Sequence, residues 1–460
     1  MLVNLDLVKK YNVPAPRYTS YPTALQFKTD ENFELLSQQM REDIAHGENT
    51  ISLYIHIPFC KSLCWYCGCT TVPAKDENAA NAYIDCLEKE IILQRSRLET
   101  LGKMHVAQLH FGGGTPSALT PAQIDRVSAI LREHFIFDGN AEISVELDPR
   151  TASKEIIAAF ARLGCTRASL GVQDLNSRTQ VAIHRVQPLP VVAQCVAWLR
   201  ELGFTSINFD LIYGLPYQSV ESFQETLTQT IALKPDRFSI FSYAHVPWIK
   251  PQQKLLEATG ALPDPDLKLT LLKTIIERLC AENFVYIGLD HFARPDDELV
   301  HALRERRLQR NFQGYSTHAG TPIVALGMSS ISQSSRTFSQ NEKDYNAYCA
   351  AINQGKLPTV KGLILNDEDL RRREIISKIM CDLQLDYDAM SAHFGFDFSK
   401  RYANEIAKLE PLAADGLIET LPHGNGFVVT QTGRLFIRLI ALPFDGYFNP
   451  AGTPKHAKSI

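Results

Sequence analysis

Between Ser52 and about residue 244 the sequence repeats a strand-then-helix unit six times, at intervals of roughly 25 to 55 residues, the pattern of a parallel α/β sheet. Strands are expected near 52–57, 107–112, 142–148, 166–172, 206–212 and 237–243. Their alternation constrains the fold more tightly than their number does. Glu142, Ser144, Glu146 and Asp148 oppose Ile143, Val145 and Leu147; Gln108 and His110 oppose Leu109 and Phe111; Asn208 and Asp210 oppose Ile207 and Phe209. A parallel sheet covered on both faces reads apolar throughout, and a closed eight-stranded barrel fills its interior with branched apolar side chains. One polar face across several strands predicts an incompletely closed barrel, with helices outside and a lumen that holds a large polar ligand. Helix boundaries support this reading. Thr120-Pro121 places an N-cap before a first-turn proline, with Ile124, Val127, Leu131 and Phe135 on one face. Gly164 and Gly203 sit where left-handed caps lead into strands.

The first strand runs into SLYIHIPFCKSLCWYCGC, residues 52–69. Pro58 stops the strand, and Cys60, Cys64, Cys67 and Cys69 follow within ten residues. Neighbouring thiolates repel unless something positive sits between them, and the deprotonated sulfur is the ligand. The C-x-x-x-C-x-x-C core therefore reads as a metal-cluster loop. Three thiolates leave a four-iron, four-sulfur cluster one ligand short, and an open iron can bind a small molecule. The competing arrangement is a four-thiolate zinc knuckle, against which Cys67 and Cys69 stand too close for the paired C-x-x-C chelate. Cys86, Cys165, Cys195, Cys280, Cys349 and Cys381 are scattered in apolar settings and read as core side chains. That usage points to reducing conditions and a cytoplasmic location. A formal net charge of −4 suggests neither a nucleic-acid nor a membrane surface, and the N-terminus lacks a signal-peptide apolar core.

H-I-P-F-C-x-x-x-C-x-x-C-x-C resembles the radical S-adenosylmethionine (SAM) superfamily. The extra Cys69, the preceding Tyr54-Ile55-His56 and the early P-R-Y-T-S-Y-P-T-A resemble its oxygen-independent coproporphyrinogen III oxidase (dehydrogenase) family. The resemblance covers nearly the whole chain and fades after about Phe444. It implies an α/β fold: an incomplete (β/α)6 barrel with an N-terminal arm and a mostly helical C-terminal domain. The expected divisions are an arm at 1–50, the barrel at 51–285, a substrate-flanking connection at 286–360, and a helical, winged-helix-like domain at 361–460. By the same resemblance Cys60, Cys64 and Cys67 hold a [4Fe-4S] cluster, Cys69 is surplus to it, and two SAM molecules bind. Tyr54, Gly113, Glu146 and Ile331 match contacts to the SAM on the cluster. Tyr66, Gly114, Thr115, Gln173, Arg185, Asp210 and Ala244 match contacts to the second.

Read without the resemblance, Gly112-Gly113-Gly114-Thr115-Pro116 is a tight turn at a strand end, and Arg185 with Asp210 could form a structural ion pair. Three prolines keep residues 11–23 from forming a continuous helix, so this arm reads as extended surface chain; the resemblance implies that it helps to close the active site. Asn311-Phe312-Gln313-Gly314-Tyr315 and the charged run 290–299 match the family where it flanks the substrate. Near the C-terminus, Ile375, Ile379 and Leu383 share a helix face, a hairpin is expected around His423–Gly426, and a further helix at 434–438.

The implied reaction converts two propionates of coproporphyrinogen III to vinyl groups, giving protoporphyrinogen IX in haem biosynthesis, with flavodoxin or ferredoxin as electron donor and a monomeric enzyme. Tyr54 and Cys69 are expected near the chemistry. Four substrate carboxylates call for cations, for which Arg17 and Arg294 are the candidates. The alternative from another class is a haem-binding chaperone of the same superfamily; Cys69, the N-terminal arm and the R-P-D-D-E-L run argue against it.

Overall fold

The computed structural model describes residues 2–74, 76–422 and 424–449. The chain forms two compact units: one of residues 27–263 and 320–364, the other of 1–26, 264–319 and 365–460.

In the first unit six parallel strands lie side by side in chain order: β1 (Thr50–Ile57), β2 (His105–Gly113), β3 (Ile136–Leu147), β4 (Arg167–Gln173), β5 (Ser206–Tyr213) and β6 (Arg237–Ser242). Helices Glu77–Arg97, Pro121–His134, Lys154–Leu163, Leu189–Glu201 and Val220–Ala232 follow the first five strands. The predicted caps are present. Thr120 and Gln123 form a reciprocal capping box, and Gly164 ends its helix at φ 111°. The sixth repeat departs from the pattern. After β6 comes only the short helix Lys254–Glu257, and the next long helix, Pro265–Ala281, belongs to the second unit.

The two faces of these strands divide as their alternation predicts. Leu53, Ile55, Leu109, Phe111, Val145, Leu170 and Phe209 are buried, each burial contributing about 1.5–3 kcal/mol. On the other face the polar groups satisfy one another across the strands. Ser52 donates to Gln108 (3.0 Å), Gln108 to Glu142 (2.8 Å), and His110 meets Ser144 (2.7 Å). Asn208 bridges Ser169 (2.8 Å), Asp210 (2.8 Å) and Ser239 (3.1 Å). A row of buried and half-buried polar side chains is thus kept at low cost because each has partners.

Beyond β1 the sheet continues with four strands from the far end of the unit. β7 (Ile323–Leu326) pairs in parallel with β1, Tyr54 opposite Ala325, and β8 (Ile331–Gln333), β9 (Thr337–Asn341) and β10 (Thr359–Ile364) add antiparallel. The stretch expected as a connection at 286–360 thus supplies β7, β8, β9, a helix (Tyr345–Asn353) and the start of β10 from Ile323 onward. A buried carboxylate fastens this extension: Glu90, on helix Glu77–Arg97, accepts the Gly327 N–H (2.7 Å), the Asn341 amide (2.6 Å) and the Tyr348 hydroxyl (2.6 Å).

In the second unit the arm follows a helix, Leu5–Tyr11, capped by Asn4. Residues 12–23 contain no helix, as the prolines require. The arm is not a surface wrap: Ala15, Tyr18 and Tyr21 are buried. Tyr18 donates to Asp445 (3.1 Å), the Gly446 N–H donates to the Tyr21 hydroxyl (3.0 Å), and Arg438 donates to the carbonyls of Pro16 (2.8 Å) and Ala15. Residues 365–449 are mainly helical, around a three-stranded antiparallel sheet with Gly426–Val429 between Gln384–Asp386 and Ile418–Thr420. His423 of the expected hairpin lies outside the described residues. The helix expected at 434–438 is split into a 3-10 turn, Gly433–Phe436, and an α-helix, Ile437–Ala441. Among the described residues no helix is long and apolar enough to cross a membrane.

Candidate functional site

The thiol loop is cinched at its base. Phe59–Cys60 bridges in parallel to Val72–Pro73, the Val72 N–H donates to the Pro58 carbonyl (2.7 Å) and the Ala74 N–H to the Cys60 carbonyl (2.9 Å). Residues after β6 hold its backbone: Lys250 donates to the Cys69 carbonyl (2.6 Å), and the Gln253 amide donates to the carbonyls of Tyr66 (2.9 Å) and Ala244 (3.2 Å). The Trp65 N–H donates to the Ile183 carbonyl (3.1 Å).

All four cysteines are free. Arg150 and Arg185 donate to the Cys64 sulfur at 3.4 and 3.3 Å. Burial and the neighbouring Cys67 and Cys64 push the Cys60 thiol up to about 12. The hydrogen bond from Cys69 pulls Cys67 down to about 6, while Cys69, the donor, is raised. A cationic setting around closely spaced sulfurs fits a group that binds thiolates. Three closely spaced free cysteines, one of them held by two guanidiniums, are a donor set that fits a four-iron cluster.

The glycine run packs against the start of the loop. The Gly114 N–H donates to the Ile57 carbonyl (2.8 Å) and the Thr115 N–H to the Phe59 carbonyl (2.9 Å). Gly113 has φ +115°, and a Cβ there would lie 2.6 Å from the His56 ring. No residue with a side chain could hold this position without displacing His56. Glu146 accepts the Gly113 N–H (3.3 Å) and meets His110 Nε2 (3.3 Å). Tyr54 stacks on His110 with centroids 5.9 Å apart, and its hydroxyl meets His56 Nδ1 at 3.1 Å. His56 Nε2 faces the Thr70 carbonyl (3.1 Å), which makes Nε2 the donor and Nδ1 the acceptor of the Tyr54 hydroxyl. Burial lowers the His56 pKa and keeps the ring neutral.

Arg185 is not at a strand end; it follows the short helix Ser177–Ala182 and reaches back. It pairs with Asp148 (3.0 Å), not with Asp210, and donates to the Gly171 carbonyl (2.6 Å) at the end of β4, while its Nε is buried without a partner. A Cβ on Gly171 would lie 2.8 Å from the Gln173 amide and 2.9 Å from Arg185. The missing side chain thus leaves room where these two groups meet. Asp210 is opposite Gly171 in register and accepts from Ser169 (2.7 Å) and Asn208 (2.8 Å). Burial raises its pKa to about 7.

The structure thus gathers Cys60, Cys64, Cys67, Cys69, Tyr66, Ala244 and Arg185 around the loop. Tyr54, Gly113 and Glu146 lie beside it, with Gln173 at the end of β4 and Asp210 inside β5. Thr115 is buried and shares a hydrogen bond with Ser117 (3.1 Å). Ile331 begins β8, just after Ser329, whose hydroxyl is 3.4 Å from His56 Nε2. Arg17 and Arg294 belong to the other unit, Arg17 paired with Asp290 and Arg294 exposed at 3.4 Å from Asp296. Sequence reasoning passed over His56, Asp148 and Arg150. The run Asp148-Pro149-Arg150, which closes the most polar strand, was the signal for the last two.

A half-open parallel barrel with three closely spaced cysteines at the carboxyl end of its first strand defines a radical SAM enzyme. The Radical SAM superfamily model matches residues 54–229, and the HemN C-terminal domain model matches 365–436. Oxygen-independent coproporphyrinogen III oxidase of Helicobacter pylori (strain J99) is 40% identical, covering 99% of this chain and 98% of that protein. The Escherichia coli K12 protein of the same name is 41% identical, over 96% and 95%. The solved structure of coproporphyrinogen III oxidase (HemN) from Escherichia coli, a radical SAM enzyme, superposes with a TM-score of 0.90 over 97% of this chain and 99% of that one. This chain belongs to the oxygen-independent coproporphyrinogen III oxidase family. Its cofactors are accordingly a [4Fe-4S] cluster and SAM.

Proposed function

We propose that this protein oxidatively decarboxylates two propionates of coproporphyrinogen III to vinyl groups, giving protoporphyrinogen IX. The observation that carries this reading is 40% identity to an oxidase of that name along 99% of the chain, arm and C-terminal domain included. The haem-chaperone alternative finds no support in relatives that carry the oxidase name.

When bound, the cluster and SAM supply a 5′-deoxyadenosyl radical able to take a hydrogen from a propionate β-carbon, after which loss of CO2 and one electron leaves the vinyl group. In this proposal Cys60, Cys64 and Cys67 hold the cluster, with Arg150 and Arg185 offsetting thiolate charge at Cys64. Cys69 stays a thiol near the substrate. Tyr54, Gly113, Glu146 and Ile331 border the SAM on the cluster, His56 fixing the Tyr54 hydroxyl. Tyr66, Gly114, Thr115, Gln173, Arg185, Asp210 and Ala244 border a second SAM. Of the two substrate-side arginines, Arg294 is the stronger candidate, because its contact with Asp296 is long (3.4 Å) and exposed, whereas Asp290 holds Arg17 closely.

A flavodoxin or ferredoxin supplies electrons to a cytoplasmic monomer that contacts neither nucleic acid nor membrane. The test is an anaerobic assay with dithionite, SAM and coproporphyrinogen III, followed for the vinyl product. Full cluster and SAM cleavage without vinyl product would refute the reading.

A further inference from the structure

In the second unit, a hairpin of Gln309–Asn311 and Gly314–Ser316 carries polar groups that the thiol loop does not use. Arg310 and Tyr315 are cross-strand partners, the guanidinium 4.8 Å from the ring centroid, so both leave the hairpin on the same side. Arg310 Nε and Nη1, Gln313 Nε2 and the Tyr315 hydroxyl are buried and have no hydrogen-bond partner in the chain. Space is kept for that hydroxyl: a Cβ on Gly288 would stand 2.6 Å from it.

Among the groups that act most on the Tyr315 hydroxyl are the guanidiniums of Arg310, Arg434 and Arg17 and the thiol of Cys381. Arg17 has Asp290. Arg434 donates to the Tyr286 carbonyl (3.0 Å). Among the described residues Arg310 makes no ion pair. Arg310 is half-buried, with Nε and Nη1 shielded from water, and shielded donors are ordinarily satisfied. The complement of these donors is an anion with more than one acceptor oxygen.

We infer that Arg310, with Tyr315 across from it and Gln313 in the turn of the same hairpin, forms a carboxylate-binding site that takes one propionate of a tetrapyrrole. The inference rests on the function proposed above. The guanidinium fork matches a carboxylate, and the phenol and the amide supply further donors to its oxygens.

The test uses the anaerobically reconstituted full-length holoenzyme, titrated with coproporphyrin III and with its tetramethyl ester from the same detergent solution, followed by porphyrin fluorescence. Arg310→Gln is expected to weaken binding of the acid by about tenfold or more and to leave ester binding unchanged. Tyr315→Phe is expected to show the same pattern with a smaller loss. Because Arg310→Gln also removes shielded donors that lack partners, its ligand-free Tm is expected not to fall, and the Tm increase caused by coproporphyrin III to shrink. Wild-type affinity for the acid in Arg310→Gln, or equal weakening of acid and ester, overturns the inference and leaves only a cation packed on a tyrosine. Should Arg310→Gln fail to fold, Tyr315→Phe, which removes a single oxygen, decides by the same comparison. A wild-type protein that binds neither porphyrin overturns the proposed function and this site with it.

Discussion

Glu90 offers a quantitative test of how the barrel is held together. Its carboxylate is fully buried and accepts three hydrogen bonds, from Gly327, Asn341 and Tyr348. Burial outweighs those bonds and lifts the group from 4.5 to about 7. Below pH 4.5 the carboxyl is protonated whether the chain is folded or not. As pH rises the unfolded chain ionises first and the folded chain retains its proton, so the contribution to stability is lost between 4.5 and about 7. At about 1.4 kcal/mol for each pH unit, that window corresponds to about 3 kcal/mol. Glu90→Gln removes the titration. It also costs a pH-independent amount, because its amide must face the Asn341 amide, which then has to turn over. Denaturant unfolding of both proteins, followed by circular dichroism from pH 4.5 to 7.5, isolates the effect in the difference between the two curves. The wild type is expected to lose about 3 kcal/mol relative to the variant across that range. Curves that run parallel would refute the assignment of a raised, structural carboxyl.

Three further outcomes are expected at the thiol loop and the strand ends. Cys60→Ser, Cys64→Ser and Cys67→Ser each lose the cluster after anaerobic reconstitution and Cys69→Ser keeps it, as measured by iron and sulfide content; full cluster in Cys64→Ser would count against the ligand set. Gly113→Ala lowers stability by about 1–3 kcal/mol and weakens SAM binding, because its Cβ meets the His56 ring; unchanged Tm and SAM affinity would show that the backbone yields. Asp210 has its carboxyl raised to about 7, so SAM bound per cluster is expected to rise from one toward two between pH 6 and 8. Asp210→Asn should show no such pH dependence.

What the sequence disclosed follows from how local each signal is. The strand carrying Glu142, Ser144 and Glu146 announced its two faces within a few residues, and Thr120-Pro121 announced its helix in four. β7 gave no such sign: Ile323–Leu326 is buried at all four positions, too short and uniform to show a period, and its partner β1 lies hundreds of residues earlier. Tyr18 and Tyr21 looked like surface residues because the groups that bury them, Asp445 and Gly446, come at the other end of the chain. At the site, the cysteines, Gly113 and Glu146 were legible because strand ends and spacing reveal them. The partner of Arg185 was not, since Asp148 and Asp210 are both carboxylates on the polar side of their strands and only the folded backbone shows which one Arg185 reaches.

The order of strands also sets a schedule. β1, which leads into the four thiols, acquires its second neighbour, β7, only after residues 264–319 have been made for the other unit. At ribosomal rates of about 5–20 residues per second, β1 spends about 10–50 s as an open sheet edge. Such an edge invites pairing with other chains, and its cysteines stay unprotected for as long. Iron–sulfur loading therefore belongs to the finished polypeptide. A fragment ending before Ile323 is expected to aggregate whatever iron it is offered.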